Sequence, residues 1–207
     1  MIENISPSDI EKRSMEIISG LLSGRDFPPE NKPVIWRAIH ATADLEYADN
    51  LVFSENAVRL GIAALSGGCD IVTDTNMAMA GINKTALSRL GGRVRCFMAD
   101  EDVLSEAKAR GITRAAVSME RAARIDKPCI FAIGNAPTAL IKICELCGEG
   151  RLSPALVIGV PVGFVNVVES KELLIASDIP HIAARGRKGG SGVAAAVVNA
   201  LIYEIMR

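Results

Sequence analysis

Five short apolar runs recur along the chain without polar alternation, and most of them end in polar or glycine-rich residues before a stretch with helical spacing. They are CDIVTDT (69–75), RVRCFMAD (93–100), PCIFAIG (128–134), PALVIGV (154–160) and PHIAA (180–184). A strand that faces water on one side alternates, so an unbroken apolar run marks a strand covered on both faces, as in a parallel sheet. The segments between them, such as EDVLSEAKARG, NAPTALIKICELC and VAAAVVNALIYEIM, supply the covering helices. The pattern predicts an α/β fold: a three-layer α/β/α, doubly wound sheet of about five mainly parallel strands, in a single domain over 1–207.

The first quarter of the chain reads differently. Residues 8–23 predict a helix with Ile10, Met15, Ile17, Ile18, Leu21 and Leu22 as its apolar positions. GRDFPPENKP is a turn-rich connection, and Pro33 suits a first helical turn. VIWRAIHATADLEYADNLVF then reads either as one helix or as two, the second capped by Asp44. If it is continuous, Arg37, His40, Asp44 and Tyr47 share a side.

In an open parallel sheet ligands bind beyond the carboxyl ends of the strands. That rule gathers Asp74, Asp100, Gly134, Asn135, Thr138, Gly163, Phe164 and the loop Arg185–Gly192. RGRKGGSG joins three cations to a glycine-rich helix start, a combination that predicts an anion site, although it has neither the Walker nor the dinucleotide spacing. In AIGNAPTAL, Asn135 and Thr138 are equally good as strand-to-helix turn residues or as ligand contacts.

Composition narrows the chemistry. Hydrophobic residues are 49%, charged ones 23% and aromatics 4%, with a net charge of -1. Nothing there points to nucleic acid, so any basic site is local. No run approaches the ~20 apolar residues of a membrane span, and the N-terminal stretch has no secretory pattern. Five cysteines, an odd number, fit reduced thiols in the cytoplasm. Cys144 and Cys147 lie near a helix end, where the dipole opposes thiolate formation, and no second pair is present for zinc. Of the two histidines, His181 opens a strand, far from the carboxyl edge. His40, on a mixed helical face, is the better candidate for a group that changes charge near neutral pH, though such a residue is also commonly structural.

Taken in order, EKRSMEII, RAIHATADLEYADNLVFS, TDTNMAMAGI, TRAAVSME, AIGNAPTAL, GVPVGFVNVVESKELL and ARGRKGGSGVAAAVVNAL resemble the precorrin-8X methylmutase family over nearly the whole chain. The resemblance implies a flavodoxin-like fold and a homodimer with sites at the subunit interface. It also implies an isomerase of cobalamin biosynthesis that moves a methyl group from C-11 to C-12 of ring C of (cobalt-)precorrin-8. No dissociable cofactor is implied and no metal bound by the protein; cobalt, if present, arrives in the corrinoid substrate. The family's acid falls on His40, and Ser14 and Arg114 match its site positions. Asn83 stands where many members carry Thr, and Ala43 and Leu45 replace a Gly and a Pro that break the helix after the histidine.

A macrocycle fringed with carboxylates calls for an apolar slot and fixed cations. Met77, Met79, Val162 and Phe164 are candidates for the slot, and Arg13, Arg37, Arg114, Arg185, Arg187 and Lys188 for the cations; Ser14, Asn83, Asn135 and Thr138 complete the expected binding set. The rival expectations are a phosphate- or nucleotide-using enzyme built on RGRKGGSG, and a corrinoid carrier without chemistry.

Overall fold

The computed structural model describes residues 5, 6 and 9–206. In chain order these form α1 (Ile10–Leu21), α2 (Lys32–Thr42), the single turn α3 (Tyr47–Asn50), β1 (Leu51–Phe53), α4 (Ala57–Ser66), β2 (Asp70–Thr73), α5 (Asn76–Gly81), α6 (Lys84–Arg89), β3 (Val94–Arg95), α7 (Glu101–Arg110), α8 (Arg114–Ala122), β4 (Cys129–Ile133), α9 (Pro137–Gly148), β5 (Leu156–Gly159), α10 (Val167–Ile175), β6 (His181–Ala184) and α11 (Ser191–Met206).

The sheet has six strands in the order β1-β6-β5-β4-β2-β3. All neighbours are parallel except β1, which runs antiparallel to β6 with Leu51 opposite Ala184. The five expected runs all contribute strands, though RVRCFMAD yields only Val94–Arg95. β1 is a correction, because LVF reads from sequence as the tail of a helix. It becomes a strand because β6 would otherwise expose an unpaired edge.

Successive residues on each strand supply opposite faces. Ile71, Ile130, Ile158 and Ile182 join a core with Ile39 of α2, Leu65 of α4 and Leu201 of α11. Val72, Phe131, Val157 and Ala183 join a second core with Met119 of α8, Leu140 of α9 and Leu174 of α10. These are the predicted three layers. α1 buries only Ile18, and Leu22 just after it is buried too, while Ile10, Ile17 and Leu21 are exposed; Ser8, at its expected start, lies outside the described residues.

The question of one helix or two after Pro33 is answered by the backbone. α2 stops at Thr42, and Ala43 takes a left-handed conformation (φ 55°) with its N–H on the Ile39 carbonyl. The Asp44 carboxylate accepts from the Glu46 N–H at 3.0 Å rather than continuing the face of Arg37 and His40. The chain passes from β2 to β3 at one edge and then to β4 on the other side of β2, so the switch point lies between β2 and β4.

Candidate active site

The switch point is closed from within. Asp74, the residue after β2, is fully buried and accepts hydrogen bonds from the backbone N–H groups of Gly134 (2.9 Å), Asn135 (2.7 Å) and Ala136 (2.6 Å). Burial raises its pKa above the usual carboxylate value, and the three amides offset only part of that. Those amides lead into α9, so the anion position that a nucleotide phosphate takes in many doubly wound proteins is filled by the chain's own carboxylate. Gly134 packs against the start of α11, where an added Cβ would lie 2.7 Å from Ser191; the Ser191 hydroxyl meets that of Thr75 at 2.7 Å.

The loop RGRKGGSG lies beside this plug and is held by Lys171. The Lys171 side chain is fully buried, and its ammonium donates to the carbonyls of Gly186 (2.9 Å) and Lys188 (2.8 Å). Burial pushes its pKa down to about 8. Gly189 has no room for a side chain, since a Cβ would sit 2.1 Å from the Val160 carbonyl oxygen. Lys188 reaches across to Asp44 (2.6 Å) and Glu46 (3.0 Å), and Arg185 pairs with Glu172 at 3.0 Å. The Lys188 hydrogen bond is the first cause of the lowered Asp44 pKa. Arg187 lies over the Phe164 ring at 6.0 Å, and Phe164 and Met77 are 85% and 73% exposed, so two of the expected slot residues stand open at the carboxyl edge.

A second group forms at the corner of α1, α2 and α11. The Arg37 guanidinium pairs with Glu11 at 2.6 Å and lies 5.0 Å from the centre of the Tyr203 ring. The Asn83 side-chain nitrogen donates to the Tyr203 hydroxyl (3.3 Å), its oxygen caps α6 through the Ala86 N–H (3.0 Å), and its backbone N–H donates to Asn199 (2.8 Å). Arg37 and Asn83, expected separately, are thus joined by Tyr203, which sequence reasoning missed because the link spans 120 residues. His40 follows Arg37 by one turn. It is exposed in the last turn of α2, and its imidazole makes no hydrogen bond among the described residues.

The remaining expected residues stand apart from this corner or face local partners. The Ser14 hydroxyl donates to the Ile10 carbonyl at 2.9 Å, and Arg13 pairs with Glu16 at 3.7 Å. Arg114 donates to the Met98 carbonyl at 3.3 Å, and the Thr113 hydroxyl donates to that of Thr138 at 2.9 Å; Asn135 is exposed. Arg114 and Thr138 stand on α8 and α9, whose core is on the opposite face of the sheet from the core of α2. Cys144 and Cys147 are both pushed up to about 11 by burial, which leaves them weak nucleophiles. His181 is buried, with its pKa lowered by burial, and no cluster of three or more metal-ligating side chains forms among the described residues.

These features define a doubly wound α/β protein whose phosphate position at the switch point is filled by its own Asp74, with Phe164 and Met77 exposed at the carboxyl edge. The family model described as Precorrin-8X methylmutase matches residues 9–204. A cobalt-precorrin-8 methylmutase of Salmonella typhimurium is 44% identical, covering 96% of each chain. A precorrin-8X methylmutase of Pseudomonas aeruginosa is 38% identical, covering 94% of each. The crystal structure of a precorrin-8X methylmutase from Thermus thermophilus superposes with a TM-score of 0.87 at 37% identity, covering 96% of this chain and 98% of that one. The chain belongs to the precorrin-8X methylmutase family, isomerases of cobalamin biosynthesis.

Proposed function

We propose that this enzyme moves a methyl group from C-11 to C-12 of ring C in a cobalt-containing precorrin-8, giving the cobyrinate skeleton by an acid-assisted [1,5]-sigmatropic shift. No atoms are lost: one carbon–carbon bond breaks, its neighbour forms, and the assisting proton is returned. The reaction needs no dissociable cofactor, and the cobalt travels in the substrate. The cobalt form is favoured because the relative at 44% identity carries that name and the one at 38% does not. A cytoplasmic setting fits such a reaction, and no described helix is long and apolar enough to cross a membrane.

His40 is the acid. The observation that carries this role is its position: exposed at the end of α2, one turn from the Arg37–Tyr203–Asn83 group and free of any competing hydrogen bond among the described residues. A positioned acid of this kind contributes typically 10²–10⁴-fold. Replacing His40 with Ala should lower turnover by that order while the variant still retains product; near wild-type turnover would remove His40 from the chemistry. Parallel assays with cobalt-loaded and metal-free substrate test the metal preference.

The working unit is a homodimer. Ser14, Arg37, His40 and Asn83 lie with α1, α2, α6 and α11, whereas Arg114 and Thr138 stand on helices of the other face. A second copy brings the two sets to one macrocycle, with Asn135, Arg13, Arg185 and Lys188 as further contacts, and the product is held tightly. Sedimentation at micromolar concentration should give twice the 21.9 kDa chain mass; a monomer with full activity would refute the shared site.

A further inference from the structure

A groove of about 450 Å³ runs between α1, α2 and α11, with Met15 and Trp36 as apolar wall and Lys32, Arg37 and Tyr203 as polar lining. From α2 it takes Lys32, Pro33, Trp36 and Arg37. The next positions on that stripe, four residues on, are His40 and Ala41, and at ~1.5 Å rise per residue His40 lies about 6 Å beyond Trp36. The groove therefore leads along α2 to the acid.

Its polar lining is aimed by contacts already described. The Asn83 side-chain oxygen is fixed by the Ala86 N–H, so its nitrogen must face Tyr203. The Tyr203 oxygen is then the acceptor of that bond, and its own proton turns elsewhere. No described residue accepts it, although a half-buried phenol ordinarily finds an acceptor. Arg37 lies over the same ring and gives one of its five N–H groups to Glu11 at 2.6 Å. Arg25, Lys32 and Arg37 are nearly balanced by Glu11 and Glu204, so this groove selects by directed hydrogen bonds rather than by net charge.

We propose that the groove receives one carboxylate-bearing side arm of the macrocycle, with the Tyr203 hydroxyl and Arg37 donating to the carboxylate. The arm anchors the ring within reach of His40, one helical turn along α2 from Arg37. This deepens the function proposed above and rests on it.

The test titrates purified wild-type protein with cobyrinic acid and with its heptamethyl ester, following the corrinoid absorbance. Wild type should prefer the acid. Tyr203→Phe keeps the ring under Arg37 and removes the hydroxyl, both as donor to the ligand and as acceptor from Asn83; it should weaken acid binding about tenfold, leave ester binding within twofold, and raise KM more than it lowers kcat. Ser23→Trp, from an exposed position at the groove, should also weaken acid binding by obstruction. Acid and ester bound by both variants as by wild type would overturn the subsite while leaving the enzyme assignment intact. A lower melting temperature with unchanged discrimination in Tyr203→Phe would also overturn it, by making Tyr203 merely structural. Failure of wild type to bind either corrinoid would remove the assignment and the subsite together.

Discussion

Asp70 and Asp74 stand at the two ends of β2, both buried, at 1% and 0% exposure, and the protein treats them in opposite ways. At the amino end Asp70 is clamped by Arg95 (2.8 Å), Lys127 (2.9 Å) and the Arg93 N–H (3.1 Å). Burial raises its pKa, but Lys127, Arg95 and the Arg93 amide together outweigh burial, and the net shift is downward. At the carboxyl end Asp74 meets only backbone amides, burial dominates, and the shift is upward. At the amino edge the Arg95 and Lys127 side chains are committed to holding a carboxylate. The edge that uses amides leaves its arginines free of that duty: Arg114 makes one long bond, to the Met98 carbonyl at 3.3 Å.

Asp74→Ala leaves three amides without their acceptor and should cost about 3 kcal/mol or more, read from urea unfolding, since each buried unsatisfied donor costs ~1–3 kcal/mol. Asp74→Asn should recover little, because the amide nitrogen opposes N–H donors. A loss below 1 kcal/mol would mean that water replaces the carboxylate and that the switch point is a true crevice.

Lys171 does for the carbonyls of the RGRKGGSG loop what Asp74 does for the amides beside it. Lys171→Met should cost about 1–2 kcal/mol and raise KM several-fold as the loop loosens. The pH dependence has a definite sign. With the folded pKa lowered to about 8 from 10.5, the unfolded chain binds more protons between those values. Wild type should therefore gain stability as pH rises from about 8 to 10.5 relative to Lys171→Met, and parallel curves would contradict the clip.

Asp70→Asn should cost about 1 kcal/mol at pH 7, a figure reduced because its cationic partners are more than a third exposed. Its lowered pKa means that this stability is present above 3.8 and disappears as pH falls through the folded value, so wild type and variant should converge in acid. The smallest effect is expected at Ala43. Its left-handed backbone strains a side chain by ~1–2 kcal/mol, part of which glycine's extra chain entropy offsets, so Ala43→Gly should stabilise by about 0.5–1 kcal/mol in thermal melts.

β3, only Val94–Arg95 and half-buried, is the weakest of the expected runs; β2, β4, β5 and β6 were legible because their centres are apolar and buried on both faces, a local signal. β1 was not, because three residues behind a helix become a strand only when β6, 130 residues later, offers an edge. His40 stood out in the sequence as a candidate, whereas its structural surroundings did not. Ala43 does not advertise a left-handed turn as glycine does, so Asp44 looked like a neighbour on the same face. Its bond to Lys188 spans 144 positions, and Tyr203 meets Asn83 across 120. Spacing along a helix reveals neighbours within a few turns, whereas this site is assembled from contacts that no local pattern encodes.

The pairing of β1 with β6 has a consequence for how the protein comes into being. During synthesis α2 and β1 leave the ribosome well before β6, so β1 has no complete ladder to join until residue 184 has been added. The helix that carries His40 is thus made well before the strand that moors its neighbour β1.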